Sequence, residues 1–240
     1  MMKKITFPLV VLFLLLTSCT PQQINDTLSV IRGANLTTAD IGNGLKQALS
    51  IGAENGANEL ASAGGYFDDL AYRILLPEEA RKVTDRLRII PGFTDLEGVV
   101  IKKINQGAED AAKSAAPIFL NAIKAMTIQD ALGILKGDKD AATQYLNRVT
   151  FDQLYQQFNP VITSSLDKFD ARTVWSDATT AYNKIPFINP VEVELGDYVT
   201  RQALDGLFKK VALKELDIRT NISSGTTELL QKVFAQQDTK

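Results

Sequence analysis

Apolar residues recur at steps of three and four along most of this chain, and that spacing predicts one helix after another. After Thr37 and Thr38, Ile41, Leu45, Ala48, Leu49, Gly52, Ala53 and Gly56 mark an amphipathic helix with a small-residue face. Each glycine in it lowers helix propensity by about 1 kcal/mol relative to alanine, so its neighbours have to hold it. Leu70 to Leu76 lead into Pro77-Glu78-Glu79, where proline in the first turn and acids beside the positive helix end start a helix running to about Ile90, before Pro91-Gly92. Thr94-Asp95-Leu96-Glu97 reads as a capping box. Behind it Leu96, Val100, Ile104, Ala108 and Ala111 form a stripe to about Ala115.

Pro117 begins the next segment, and Thr127-Ile128-Gln129-Asp130 is a second capping box, in its aspartate form. Gly137 ends that helix and Asp138 is placed to cap another. Thr150 then precedes a stripe from Phe151 through Leu154, Phe158, Ile162 and Leu166 to Phe169, in which Pro160 predicts a kink or a break. A helix is expected from Arg172 to Asn183. Extended chain follows from Ile188 to Leu195, where a strand would have no partner and so make no sheet. A long helix from about Val199 to Arg219 is expected next, and Leu229, Leu230, Val233 and Phe234 predict a short terminal one. Short helices with short joints around one core describe an all-α fold: an irregular multi-helix bundle forming a single domain over residues 36–240.

The first eighteen residues have a different character. Lys3 and Lys4 precede an apolar run from Ile5 to Leu16, the layout of a secretory signal. That run falls short of the roughly 20 apolar residues needed to span a bilayer core about 30 Å thick. It ends in Leu16-Thr17-Ser18-Cys19, which resembles the bacterial lipobox: a branched apolar residue, two small residues, then cysteine. The resemblance implies a lipoprotein signal peptide over residues 1–18, cleavage before Cys19, and lipid on the Cys19 thiol. Each buried methylene contributes about 0.8 kcal/mol, so two or three acyl chains hold a protein to a membrane durably. The alternative is an ordinary secretory signal followed by an unrelated cysteine. Residues 19–35, polar and punctuated by Pro21 and Gly33, read as the lipidated N-terminus and a tether.

Composition narrows the chemistry. The chain has no histidine and one cysteine, which excludes Ser-His-Asp and Cys-His catalysis, internal disulfides and the common zinc sites. Neither a metal nor a cofactor is expected. Of 26 basic and 28 acidic residues, Lys3 and Lys4 fall in the signal, leaving 24 against 28 and a formal charge of −4. No basic stripe interleaved with aromatics suggests nucleic acid.

Carboxylate chemistry remains open, so the polar residues within apolar stripes are the candidates. Asn105 and Glu109 lie four apart on one helix face beside alanines; a buried Glu109 could act as an acid, whereas its spacing to Lys113 suggests an ion pair. Asp130 belongs to its capping box. Asp138 and Asp140 lack the spacing of a calcium loop. Glu54, Asn55, Asn58 and Glu59 form a polar set beside the glycine face, in loose analogy to helical muramidases with one catalytic glutamate, although no second carboxylate is identified by spacing. Tyr145, Phe151, Tyr155, Phe158, Trp175 and Tyr182 have helical spacing and fit core packing better than a pocket lining.

Several blocks together resemble a known family: GLKQAL at 44–49, the run 105–112, PIFLNAIKAMTIQDALGILKGDKDAATQYL at 117–146, YVTRQALDGLF at 198–208 and TTELLQKVF at 226–234. They are similar to a bacterial domain of unknown function (4197) found in helical envelope lipoproteins of Gram-negative bacteria. The resemblance implies an all-helical domain and an envelope location, and it brings no functional residues with it. Polar positions matching its motifs are Asn105, Glu109, Asp130, Asp138, Thr143, Tyr145, Asp205 and Arg219. Asn105, Glu109, Asp130 and Tyr145 are the candidate polar site. The expected role is a lipid-anchored protein, on the outer membrane because Thr20 and Pro21 are not an inner-membrane retention signal, that binds an envelope protein partner or serves a structural role. The alternatives are a carboxylate enzyme acting on envelope glycan or lipid, and a carrier of apolar ligands.

Overall fold

The structure is a computed structural model that describes residues 37–168 and 170–220. Over these residues the chain forms eight helices and no strand. They are α1 (Thr38–Ala61), α2 (Glu78–Leu87), α3 (Leu96–Ala112), α4 (Ala115–Ala125), α5 (Ile128–Lys136), α6 (Ala141–Lys168), α7 (Ala171–Asn183) and α8 (Leu195–Thr220). The all-α multi-helix domain expected from the periodicity is therefore present. The signal, Cys19, the tether and the expected helix around Leu229 to Phe234 lie outside the described residues.

The long helices build the centre. α6 packs on α3, α8 and α4, while α1 packs on α4, α8, α5 and α3; α2 and α7 lie against each other. Leu154, Phe158, Ile162 and Leu166 of α6 are fully buried and meet the Val100, Ile104 and Ala108 stripe and the Val199, Ala203, Leu204 and Leu207 stripe in one core. The small-residue face of α1 serves close approach: a Cβ on Gly42 would stand 2.8 Å from Ile128 of α5, and one on Gly52 2.9 Å from Ile218 of α8. Phe158, Trp175 and Tyr182 are buried in the core, with Tyr145, Phe151 and Tyr155 packed at its edge. The aromatic positions are thus packing positions.

Two helix starts carry reciprocal caps. The Thr37 hydroxyl oxygen accepts from the Asp40 amide at 3.1 Å while Asp40 accepts from the Thr37 amide at 3.0 Å. Thr127 and Asp130 repeat the arrangement, both bonds being 3.0 Å. Three local expectations need correction. The box read at Thr94 is not formed, because α3 starts one residue later with Asp95 as its cap, and Asp95 makes no side-chain capping bond. The segments expected on either side of Thr150 are one helix, for the Thr150 hydroxyl donates to the Leu146 carbonyl at 2.6 Å inside α6 instead of capping. That helix also continues through Pro160. Pro160 and Gln156, the residue whose carbonyl a proline leaves without an amide, are both exposed.

Candidate functional site

The polar residues that stand on apolar stripes are used to hold backbone. Asn105 is fully buried on α3. Its Oδ1 accepts from the Ile74 amide at 2.8 Å, and its Nδ2 donates to the Ile74 carbonyl at 2.9 Å and to the Ile101 carbonyl at 2.7 Å. One turn further along, Glu109 Oε1 accepts from the amides of Tyr66 at 3.3 Å and Phe67 at 3.2 Å. Both residues thus grip the segment between α1 and α2, which has no helical ladder of its own to satisfy these groups. The Glu109 to Lys113 pair expected from their spacing is not formed. Lys113 is exposed and bonds Asp110 at 2.7 Å, while Glu109 points inward.

The gripped segment is also tied to α8. Tyr66 has no exposed surface and donates its hydroxyl to the Ala203 carbonyl at 2.7 Å. Burial, and then the charge of Glu109, push the Tyr66 phenol far above its ordinary range, so it stays a neutral donor. Lys210 lies 4.8 Å over the Tyr72 ring, and the Tyr198 hydroxyl donates to the Leu75 carbonyl at 2.7 Å.

A second buried carboxylate, Glu215 of α8, performs the same task at the start of α6. It accepts from the amides of Ala142 at 2.9 Å and Thr143 at 2.8 Å and from the Thr143 hydroxyl at 2.9 Å. Arg219 balances its charge at 2.7 Å and donates to the Ile134 carbonyl at 3.0 Å, which ties the end of α5 to the same point. Sequence reasoning had named Thr143 and Arg219 but missed Glu215. The signal was available: Glu215 continues the Leu204, Leu207/Phe208, Val211 stripe, and a charge at an apolar stripe position needs a buried partner.

The four candidate residues fall in two places. Asn105 and Glu109 stand together against residues 66–74. Asp130 and Tyr145 stand near each other where α5 meets α6, with Arg148 5.5 Å over the Tyr145 ring. The Asp130 carboxyl is held below its ordinary value by the Thr127 hydroxyl and amide, and Arg148 and Lys46 add to this. Tyr145 is raised by burial and by the Asp130 charge.

Glu54, Asn55 and Asn58 are exposed. Glu59 bonds both Lys214 and Lys210, the latter at 2.9 Å. Burial pushes its carboxyl up, but the bonds and charges of Lys214 and Lys210 outweigh that and leave it below the ordinary range. A general acid for glycan cleavage needs the opposite shift. Asp205 pairs with Lys209 on the exposed face of α8 at 2.6 Å, and Asp138 is exposed beyond the end of α5.

Among the described residues no buried side-chain nitrogen or oxygen lacks a hydrogen-bond partner, and no cluster of three or more acidic or sulfur ligands is placed to hold a metal. No single described helix is long and apolar enough to cross a membrane; α4 and α5 reach the length only together, bent by 104°.

These features define an all-helical domain whose interior polar groups serve to lock its connections. The chain belongs to the family described as Protein of unknown function (DUF4197), which matches residues 35–235. No curated protein and no solved structure matches the chain.

Proposed function

We propose that this protein is an envelope lipoprotein, anchored through lipid on Cys19 and facing from the outer membrane, whose helical domain has a binding or structural role without catalysis. The observation that carries the non-catalytic reading is that the buried candidate side chains Asn105 and Glu109 hold backbone of the segment between α1 and α2. Asn105 spends its carboxamide on the Ile74 amide and carbonyl and the Ile101 carbonyl, and Glu109 Oε1 accepts from the Tyr66 and Phe67 amides, so both side chains hold backbone. Glu59 is ion-paired and held in its charged form, which suits a surface bridge and not a proton donor. The anchor is supported by the LTSC sequence behind a short apolar run.

Two measurements test the reading. Fractionation of a Gram-negative host should find the protein in the outer-membrane fraction, and Cys19→Ser should move it to the soluble or unprocessed pool; equal distribution of both would remove the anchor. Purified domain should release no product from peptidoglycan or phospholipid. Turnover that disappears in Glu59→Gln or Glu109→Gln, with helical content preserved, would replace the binding reading with the enzyme.

A further inference from the structure

Between α7 and α8 the chain from Ile188 to Glu194 belongs to no helix and no ladder. Its side chains alternate: Val191 and Val193 pack against the core, while Glu192 and Glu194 are exposed. A period of two is the period of extended chain, so the main-chain groups of successive residues point to opposite edges. One edge is taken. Asn183 Oδ1 accepts from the Val191 amide at 3.0 Å and its Nδ2 donates to the Val191 carbonyl at 3.3 Å, while Trp175 Nε1 donates to the Val193 carbonyl at 3.3 Å. Asn183 thus stands where a neighbouring strand would exchange two bonds with Val191. The Glu192 amide and carbonyl fall on the other edge and have no hydrogen-bond partner among the described residues. An edge of this kind can take up an added strand.

Charge decides which strand. Glu192 and Glu194 line a groove of about 860 Å³ along α7, together with Thr173, Ser176, Asp177 and Thr180. Asp177, Glu192 and Glu194 form no ion pair among the described residues. Arg172, the one cation that lines the groove, is already held by Asp167 at 3.1 Å. An acidic strand on this edge would set like charges opposite Glu192 and Glu194, whereas a basic one would set opposite charges there.

We propose that the outer edge of residues 190–194 docks an extended, basic segment of a partner protein. The partner's main chain bonds the Glu192 amide and carbonyl, and its lysine or arginine side chains, on the solvent face of the added strand, meet Glu192, Glu194 and, across the groove, Asp177. Pro190 has no amide to offer, so the edge is short and takes only a few residues. The proposal gives the binding role a partner class and rests on that role, not on the anchor.

The probe is a short fluorescein-labelled peptide of alternating lysine and valine, titrated by anisotropy into the chain carrying Cys19→Ser. Binding should saturate, weaken with added salt, and be absent for the same peptide with glutamate in place of lysine. It should weaken about tenfold in the double variant Glu192→Gln, Glu194→Gln, with the circular dichroism spectrum unchanged. Two further peptides separate strand addition from ionic adsorption. N-methylation of the lysine amides blocks one edge of the peptide, and N-methylation of the valine amides blocks the other. One of these should lose binding while the other keeps it. The same outcome for both, an unchanged affinity in the double glutamine variant, or no saturable binding of the lysine peptide would overturn the proposal. Because Cys19→Ser removes the anchor, such a failure leaves the lipoprotein reading to the fractionation experiment.

Discussion

Replacing Asn105 by alanine separates a structural residue from a site residue. The carboxamide satisfies both the amide and the carbonyl of Ile74, at 2.8 and 2.9 Å, and Ile74 is only 3 % exposed. Asn105→Ala therefore leaves two buried backbone groups without partners and without access to water. Each costs about 1–3 kcal/mol, so the loss is about 2–6 kcal/mol, a large part of the roughly 5–15 kcal/mol that holds a domain together. With a urea slope of about 2 kcal/mol per molar for a domain of this size, the midpoint should fall by about 1–3 M at constant slope. Far-UV circular dichroism on the Cys19→Ser chain reads this. Asn105→Asp should also be destabilised, since a carboxylate oxygen would replace the donor that faces the Ile74 and Ile101 carbonyls. A midpoint within about 0.3 M of the parent, with binding or turnover lost instead, would refute the argument and restore Asn105 as a site residue.

Other expectations follow from the same geometry. Arg219→Ala strands the buried Glu215 carboxylate and frees the Ile134 carbonyl, and breaking such a pair costs about 3–5 kcal/mol; urea unfolding should register it as one of the largest single losses. Gly206→Ala should destabilise despite the gain in helix propensity, because its Cβ would stand 3.0 Å from the Tyr66 ring, which is fixed at its hydroxyl by Ala203 and at its amide by Glu109. Gly133→Ala is the control: its Cβ meets nothing within 4 Å, and the thermal midpoint should rise with a gain of about 0.5–1 kcal/mol. The Asp130 cap has a sign in pH. Its carboxyl lies below the ordinary 3.8 when folded, so its contribution is present above that value and is lost as pH falls through the lower, folded value. The difference in urea midpoint between parent and Asp130→Ala should be full at pH 7 and should narrow on acidification below pH 3.8.

The parts of the fold legible in the sequence are those whose cause is local. Thr127 and Asp130 bond each other across three residues, so the motif alone announces the helix start. Stripes such as Leu154, Phe158, Ile162 and Leu166 announce a buried face whichever helix they meet. The failures are equally physical. Thr94 and Glu97 satisfy the capping pattern, yet the helix start shifted to Asp95, a one-residue choice that the pattern does not decide. Thr150 has the chemistry of a cap but bonds backward to Leu146, an alternative open to any threonine inside a helix. Glu109 has Lys113 at the right spacing for an ion pair and instead meets amides more than forty residues away, at Tyr66 and Phe67. Asn105 and Glu109 stood out correctly as polar residues on an apolar face; what they touch is set by a long-range path that one sequence does not contain. Glu215 has Arg219 at the spacing of a surface bridge, whereas its place on the Val211 stripe buries it.

The anchor is the claim on which location and role both depend, and the intact mass of the protein purified from Gram-negative membranes tests it most directly. The account predicts a chain that lacks residues 1–18 and carries a diacylglyceryl group on Cys19, with the acylated N-terminal peptide recovered after digestion. An unmodified Cys19 thiol, or a chain that keeps residues 1–18, would contradict it.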